Sequence, residues 1–504
     1  MGSMIKKRND RSSLLGALVS GVIALAINPC VWAQSGTVTA YQKISDTEGG
    51  FKGTLDDRDR FGKSVAQLTD IDGNGVVDLA VGAWGDDDGG NEAGAIWLLF
   101  LNRNGTVRGH QKISAFDGGF TGSLDKWDIF GTAVTSIGDL NGDGRSDIAV
   151  GAPGDDDGGS SRGAVWVLFL EADGTVGSHQ KISDTQGGFE GKLLDYAEFG
   201  ASVVSMGDLN GDGIIELAIG SPHDADGGYQ TGAVWVLSVN QDGTVRSHQK
   251  ISDLAGNFDG ELHDQDFFGF GVAAIGDLDQ DGVGDLVVGA PGDDDGGFRH
   301  GAIWILFLKS DGTVEEHQKI SDTQGGFGGE LEYNEWFGAS VASCGDLNGD
   351  GINDIAVGAP GRGSKPHGAV WVLFLNVNGT VQSHQLISDT DGGFDGTLDP
   401  DGMLGWSVAA IANMNGDGST VLAAGATEDS DGGSARGAAW LFFVDGVPSC
   451  VPDLNSDGTV GAADLVALLA AWGPNPGHPA DFDGDDNVGV SDLLALLANW
   501  GPCP

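Results

Sequence analysis

A chain of 504 residues is too long for one ordinary hydrophobic core, so it must be several domains or a repeat array. Hydrophobic residues make up 40% and glycines number 88 against 14 prolines, which describes a turn-rich globular protein and excludes a disordered or collagenous one. The formal charge of −49 repels nucleic acid and anionic membrane, and its carboxylates lie in short glycine-rich clusters rather than an acidic tail, a pattern that suits cation sites.

The N-terminus runs Lys6-Lys7-Arg8, an apolar stretch from Leu14 to Ile27, then Val31-Trp32-Ala33. This order predicts a secretory signal over residues 1–33, cleaved after Ala33, with a retained membrane anchor as the alternative. The stretch is short for a membrane span, which needs about 20 apolar residues. No later segment is long and apolar enough, so no transmembrane segment is expected after signal cleavage. Of the four cysteines, Cys30 leaves with the signal and Cys344 sits alone in an apolar strand as a buried thiol. Cys450 and Cys503 bracket the C-terminal segment, and an oxidising compartment would let them bond.

From residue 37 onward the chain repeats. Phe-Gly pairs stand at Phe61-Gly62, Phe130-Gly131, Phe199-Gly200, Phe268-Gly269 and Phe337-Gly338, each 69 residues after the last, with a weakened sixth at Leu404-Gly405. Each unit carries a Gly-Ala-Pro-like triplet (Gly151-Ala152-Pro153, for example) and a tryptophan in an apolar run (Trp97, Trp166, Trp235, Trp304, Trp371, Trp440). Four strands are predicted in the first unit, at about 63–69, 76–83, 94–101 and 105–113. The second and third are apolar on nearly every residue and need cover on both faces, whereas the fourth alternates like an outer edge. Residues 37–44 match that fourth strand and precede the first unit, so they can pair with the third strand of the last one. The predicted fold is mainly β, a six-bladed β-propeller of four-stranded antiparallel blades closed by an N-terminal strand, over about 37–445. An open solenoid is the alternative.

Between the first and second strands of each unit lies a loop with oxygen side chains at positions 1, 3, 5 and 9 and a backbone carbonyl at 7. The first offers Asp70, Asp72, Asn74, the carbonyl of Val76, and Asp78. The later copies offer Asp139, Asn141, Asp143, Arg145 and Asp147; Asp208, Asn210, Asp212, Ile214 and Glu216; Asp277, Asp279, Asp281, Val283 and Asp285; Asp346, Asn348, Asp350, Ile352 and Asp354. Such a loop can supply the six to eight oxygens that Ca2+ takes, and its recurrence in register separates it from an ordinary Asp/Asn/Gly turn. The sixth loop has Asn413, Asn415 and Asp417 but Val421 at position 9, so it is expected to be empty or weak.

Phe-Gly, the acidic loop and Gly-Ala-Pro in one unit resemble the FG-GAP repeats of the integrin α-subunit propeller, over about four-fifths of the chain. The resemblance implies calcium on one face of the ring and ligands mainly on the other. Integrin propellers have seven blades against six here, and nothing in this chain looks like a partner-subunit domain.

The turns around Asp86-Asp87-Asp88, Asp155-Asp156-Asp157, Asp224-Ala225-Asp226, Asp293-Asp294-Asp295 and Asp429-Ser430-Asp431 are either solvated glycine turns or a second ring of cation sites. The fifth unit replaces this turn with Arg362-Gly363-Ser364-Lys365-Pro366. Histidines at 110, 179, 248, 317 and 384, with Tyr41 in the equivalent place, recur once per unit and are read as packing residues rather than metal ligands.

After a linker at 446–452, residues 453–504 hold two copies of a loop feeding a short apolar helix. Asp453, Asn455, Asp457, the carbonyl of Thr459 and Asp464 occupy calcium-loop positions 1, 3, 5, 7 and 12; the second copy has Asp481, Asp483, Asp485, Asn487 and Asp492. The closely spaced duplication with Asp at position 12 looks like a dockerin, a small α-helical loop-helix pair. That resemblance implies a cohesin-like partner in an extracellular assembly, though Asp486 stands where the turn glycine belongs. An intramolecular clip on the propeller is the alternative.

The expectation is therefore a secreted, extracellular or cell-surface protein with about five propeller and two C-terminal Ca2+ sites. It would bind an extracellular protein or glycan and would not be an enzyme. The alternatives are an extracellular hydrolase, for which His223 and His263 break the repeat and merit inspection, and a purely structural surface protein.

Overall fold

The computed structural model describes residues 36–362, 367–412, 414, 419–445, 454, 459–475, 480, 487–498 and 500–502. The signal and linker expectations at 1–33 and 446–452 lie outside the described residues, as do Cys450 and Cys503.

An N-terminal strand, β1 (Val38–Ile44), precedes five complete blades. The first holds β2 (Phe61–Gln67), β3 (Leu79–Ala83), β4 (Ala95–Leu101) and β5 (Val107–Ile113). The second holds β6 (Ala133–Gly138), β7 (Asp147–Ala152), β8 (Ala164–Leu170) and β9 (Val176–Ser183). The third holds β10 (Ser202–Gly207), β11 (Ile215–Ser221), β12 (Ala233–Val239) and β13 (Val245–Ser252). The fourth holds β14 (Val272–Gly276), β15 (Asp285–Ala290), β16 (Ala302–Leu308) and β17 (Val314–Ser321), and the fifth β18 (Ser340–Gly345), β19 (Asp354–Ala359), β20 (Ala369–Leu375) and β21 (Val381–Ile387). The sixth joins β22 (Leu404–Ala412), β23 (Thr420–Ala426) and β24 (Ala438–Val444) to β1, which pairs antiparallel with β24. Every blade is thus a four-stranded antiparallel meander, and the last is completed by the first strand of the chain. In the first blade the second strand starts at Leu79, not at residue 76.

The two motifs that mark the repeat meet each other between blades. The glycine after each phenylalanine has positive φ (+94° at Gly62, +88° at Gly131), a conformation open to glycine at little cost. Its carbonyl oxygen lies so close to the Gly-Ala-Pro glycine of the neighbouring blade that a Cβ on Gly82 would collide with the Gly131 oxygen, and one on Gly425 with that of Gly62. Ser64, Ser202, Ser340 and Ser407 donate to the same carbonyls, Ser407 Oγ reaching Gly62 O at 2.8 Å and so joining the last blade to the first. Phe61, Phe130, Phe199, Phe268, Phe337 and Leu404 are fully buried beside these contacts. Apolar clusters fill the spaces between successive sheets, including one shared by the first and sixth blades, which explains why the second and third strands are buried on both faces.

Each recurrent histidine packs on two aromatic rings of its niche: His248 lies 5.3 Å from Phe189 and 5.6 Å from Trp235, and Tyr41 stands likewise against Phe394 and Trp440. Burial lowers the pKa of His110, His179 and His384, favouring the uncharged ring.

In the C-terminal segment, β25 (Thr459–Val460) pairs with β28 (Gly501–Pro502), and β26 (Gly473–Pro474) with β27 (Asn487–Val488). Each loop strand therefore pairs with the Gly-Pro that follows the other helix. Helices α1 (Ala462–Ala470) and α2 (Val490–Ala498) share a small core of Val460, Leu468, Val488 and Leu496. Among the described residues, no helix is long and apolar enough to cross a membrane.

Candidate metal centres and the niches between blades

In the first loop, Asp70 Oδ1 accepts from Asn74 N (2.9 Å) and Oδ2 from Gly75 N (2.7 Å), while Asn74 Oδ1 accepts from Val76 N (2.7 Å). These bonds curl the chain so that one carboxylate oxygen each of Asp70, Asp72 and Asp78 lies within 4.8 Å of the others. Oxygens around a shared Ca2+ at 2.3–2.6 Å would have about that spread, so the residues fit the ion. Asp277, Asp279 and Asp285 gather in the same way. The other three loops carry Asn at position 3 and repeat the curl: Asp139 Oδ2 accepts from Gly144 N, Asp208 Oδ2 from Gly213 N and Asp346 Oδ2 from Gly351 N, at 2.7–2.8 Å.

Position 9 has a second task that the motif alone does not reveal. Asp78 accepts from Ile71 N and, across the blade, from Leu101 N at the end of the third strand (2.9 and 3.0 Å). Asp147, Asp285 and Asp354 repeat both bonds, and Glu216 takes Leu209 N and Ser238 Oγ. Burial pushes these acids up, Asp78 and Asp147 to about 6 and Asp285 and Asp354 to about 7, with backbone hydrogen bonds pulling the other way. A buried carboxylate so placed calls for a proton or a cation. In the sixth loop Val421 is buried at this position, while Asn413, Asn415 and Asp417 lie outside the described residues.

Arginines also approach three of these loops, which was not read from the sequence. Arg108 reaches Asp72 (3.4 Å), Arg246 reaches Asp212 (3.4 Å), and Arg145 lies between Asp143 (3.3 Å) and Glu171 (3.2 Å). Arg108 and Arg246 come from the outer strand of their blades, so only the sheet register brings them there.

The Asp-x-Asp turns at the opposite ends of the blades are neither simple solvated turns nor a bare second ring of metal sites. Lys112 on β5 pairs with Asp86 (2.6 Å) and Asp88 (2.7 Å). Lys43, Lys181, Lys250 and Lys319 hold Asp429/Asp431, Asp155/Asp157, Asp224/Asp226 and Asp293/Asp295 in turn. An ammonium already occupies the position of a second cation ring, including beside Asp399, Asp429 and Asp431, whose oxygens also converge. The fifth blade confirms the logic by its exception: Leu386 replaces the lysine, and Arg362 takes over by binding the buried Glu335 at 2.7 Å, which also accepts from Trp371 Nε1 at 3.0 Å. Residues 363–366 of that turn lie outside the described residues.

Of the C-terminal candidates, Asp453, Asn455, Asp457, Asp481, Asp483 and Asp485 lie outside the described residues. Asp464 and Asp492 are fully buried and accept from Gly461 N and Gly489 N, both at 2.7 Å, at the first turns of α1 and α2. Leu468 and Leu496 point inward, whereas Val466, Leu469 and Trp472 are exposed, as are Leu494, Leu497 and Trp500 at the corresponding places of the second copy.

The FG-GAP repeat signature matches residues 130–168, 199–237, 268–306 and 337–373. The chain is 34% identical over 169 residues to integrin alpha-PS5 of Drosophila melanogaster, covering 32% of this chain and 15% of that one. It is 30% identical over 268 residues to integrin alpha-2 of Mus musculus, covering 51% and 20%. A third relative, phosphatidylinositol-glycan-specific phospholipase D of Bos taurus, is 33% identical over 171 residues, covering 33% and 19%. The chain thus spans a fifth or less of the length of these curated relatives. The last of them bears the name of an enzyme, which corrects the expectation that this chain is not one: the repeat occurs in proteins named for catalysis as well as in integrins, so its presence excludes neither. Of the two repeat-breaking histidines, His223 Nδ1 lies 2.9 Å from Glu198 and His263 is largely exposed. The chain is thus a closed β-propeller of six four-stranded blades, with FG-GAP repeats and with similarity to integrin α chains over part of its length.

Proposed function

We propose that this is a secreted, calcium-loaded adhesion or binding protein that meets an extracellular protein or glycan on the propeller and attaches to an extracellular assembly through its C-terminal module. The observation that carries the reading is the convergence of the Asp70, Asp72 and Asp78 oxygens, with the same curl repeated in the four loops that follow. Five loops would hold Ca2+ through positions 1, 3, 5 and 9 and the carbonyl at 7. When bound, the ion offsets the charge of acids that burial otherwise pushes toward protonation. Ca2+ is favoured over Mg2+ because so many protein oxygens meet on a pliable loop, whereas Mg2+ keeps much of its water. Since these loops lie on one face of the ring, the ligand surface is assigned to the opposite face, where the Asp-x-Asp turns and the entry to each innermost strand lie.

The C-terminal pair is assigned a dockerin-like role with a cohesin-like partner. Two loop-helix copies joined reciprocally by β25–β28 and β26–β27, each exposing a matching apolar face, support it. Calorimetric titration of Ca2+ into chelator-treated protein tests the reading: about five propeller sites are expected to fill, with a large rise in melting temperature. An unchanged melting curve in excess chelator sinks it. Capture from extracellular material with and without Ca2+, using the full chain and the chain ended at residue 445, assigns partners to the ring or to the tail. N-terminal sequencing of the exported protein checks cleavage after Ala33.

A further inference from the structure

The cavity on the propeller axis is lined by the innermost strand of every blade and has a volume of about 80 Å³. One level is uniform, a valine from each blade (Val65 through Val408), 6–7% exposed in all six. Two residues earlier, within β2 and β22 and just ahead of the other four innermost strands, the cavity lining breaks the repeat with Lys63, Thr132, Ala201, Phe270, Ala339 and Trp406. Lys63 Nζ lies 4.8 Å from the ring centre of Trp406 and 5.6 Å from that of Phe270. These two rings approach edge to face at 6.5 Å. Among the described residues lining the cavity, Lys63 is the sole charged group, and it has no salt bridge or hydrogen bond, unlike the five lysines that each hold two carboxylates. The indole Nε1 of Trp406 is also buried without an acceptor.

Two donors without acceptors, an aromatic wall and a valine floor specify a ligand: one negative charge with two acceptor oxygens, and a short apolar tail. We propose that the axial cavity binds a small carboxylate, its oxygens accepting from Lys63 Nζ and Trp406 Nε1 and its tail lying against Phe270. A doubly charged phosphate would exceed the single ammonium, and chloride would leave the apolar wall unused. The site does not depend on the loops holding Ca2+.

Burial holds the Lys63 amine down to about 7. The charged group that acts on it is Glu198, ahead of β10, which pairs with His223; the neighbouring strands bring Thr132, Ser407, Trp406, Phe270 and Ala339 to the cavity, none titratable near neutral pH. An anion prefers the ammonium, so affinity falls as pH rises through 7.

Calorimetry with propionate on the full chain, from pH 6 to 9, reads this directly. One saturable site is expected, its affinity dropping about tenfold per pH unit above 7. K63M, which exchanges an unpaired charge for an apolar stem and should fold at least as well, abolishes binding; K63R keeps it without the pH dependence; W406F weakens it about tenfold, as loss of one hydrogen bond would. No binding, binding unaltered in K63M, affinity flat with pH in the unmodified chain, or chloride competing as well as propionate each overturns the proposal.

Discussion

Replacing Asp354 by asparagine separates the two tasks of the position-9 acid, because the two have opposite signs. Asp354 is fully buried, accepts from Leu347 N and Leu375 N, and is pushed up to about 7 against 3.8 for a free aspartate. The folded chain therefore binds this proton more readily than the unfolded chain, and wild-type stability declines as pH rises from about 4 to 7. At pH 8 without calcium, holding the charge costs up to about 4 kcal/mol, from 1.36 kcal/mol per pH unit. Asparagine removes that cost but gives up one of two hydrogen bonds and leaves an N–H without an acceptor, at about 2–3 kcal/mol. In chelator at pH 8, D354N should then lie within about 1–2 kcal/mol of wild type, on either side. In calcium the bound ion already offsets the charge, so the substitution forfeits the ion's contribution, about 2.7 kcal/mol at a hundredfold excess over Kd. Denaturant unfolding of both proteins, each in calcium and in chelator, measures the difference of differences. Equal effects in the two buffers would refute the assignment of Asp354 as a ligand and leave the loop an ordinary turn.

Three further outcomes follow from the niches between blades. Asp128 is buried beside Asp155 and pushed up to about 7, so the stability of D128N relative to wild type should rise by about 4 kcal/mol between pH 4 and pH 8, measured by unfolding across that range; a constant effect contradicts it. R362A should cost about 3 kcal/mol by stranding Glu335, and adding E335Q should recover at least half, a non-additivity that a double-mutant cycle reads; simple additivity would mean the pair is not coupled. Removing residues 37–44 bares the β24 edge, so the shortened chain should self-associate or lose its cooperative transition. The peptide added in trans should restore a monomer by light scattering, whereas an unaffected monomer means the ring closes without it.

Much of the ring was legible because its instructions are local and repeated. Phe-Gly and Gly-Ala-Pro recur at one spacing because the carbonyl of one glycine must approach the other, as at Gly131 and Gly82. The histidine of five outer strands, with Tyr41 in its place on β1, reads as packing because the position recurs once per blade, and the rings of Phe189 and Trp235 around His248 supply the surface. The spacing of Asp70, Asp72 and Asp78 likewise carries its own curl, since each acid binds backbone only a few residues away.

What the sequence by itself determined is therefore what one blade can specify within its own length: four strands, an acidic loop, and an outer strand at the N-terminus ready to complete the sixth sheet. The tertiary structure decided the rest, because partners distant in sequence meet only after strands pair and the ring closes. Sheet register brings Lys112 to Asp86 and Asp88, turning an apparent metal turn into an ion pair, and ties Asp78 to Leu101 across the blade. Ring closure brings together Lys63, Phe270 and Trp406, which occupy the same place in three different repeats. Along the chain they are unrelated departures from a pattern; at the axis, where equivalent positions of all six blades converge, they become neighbours.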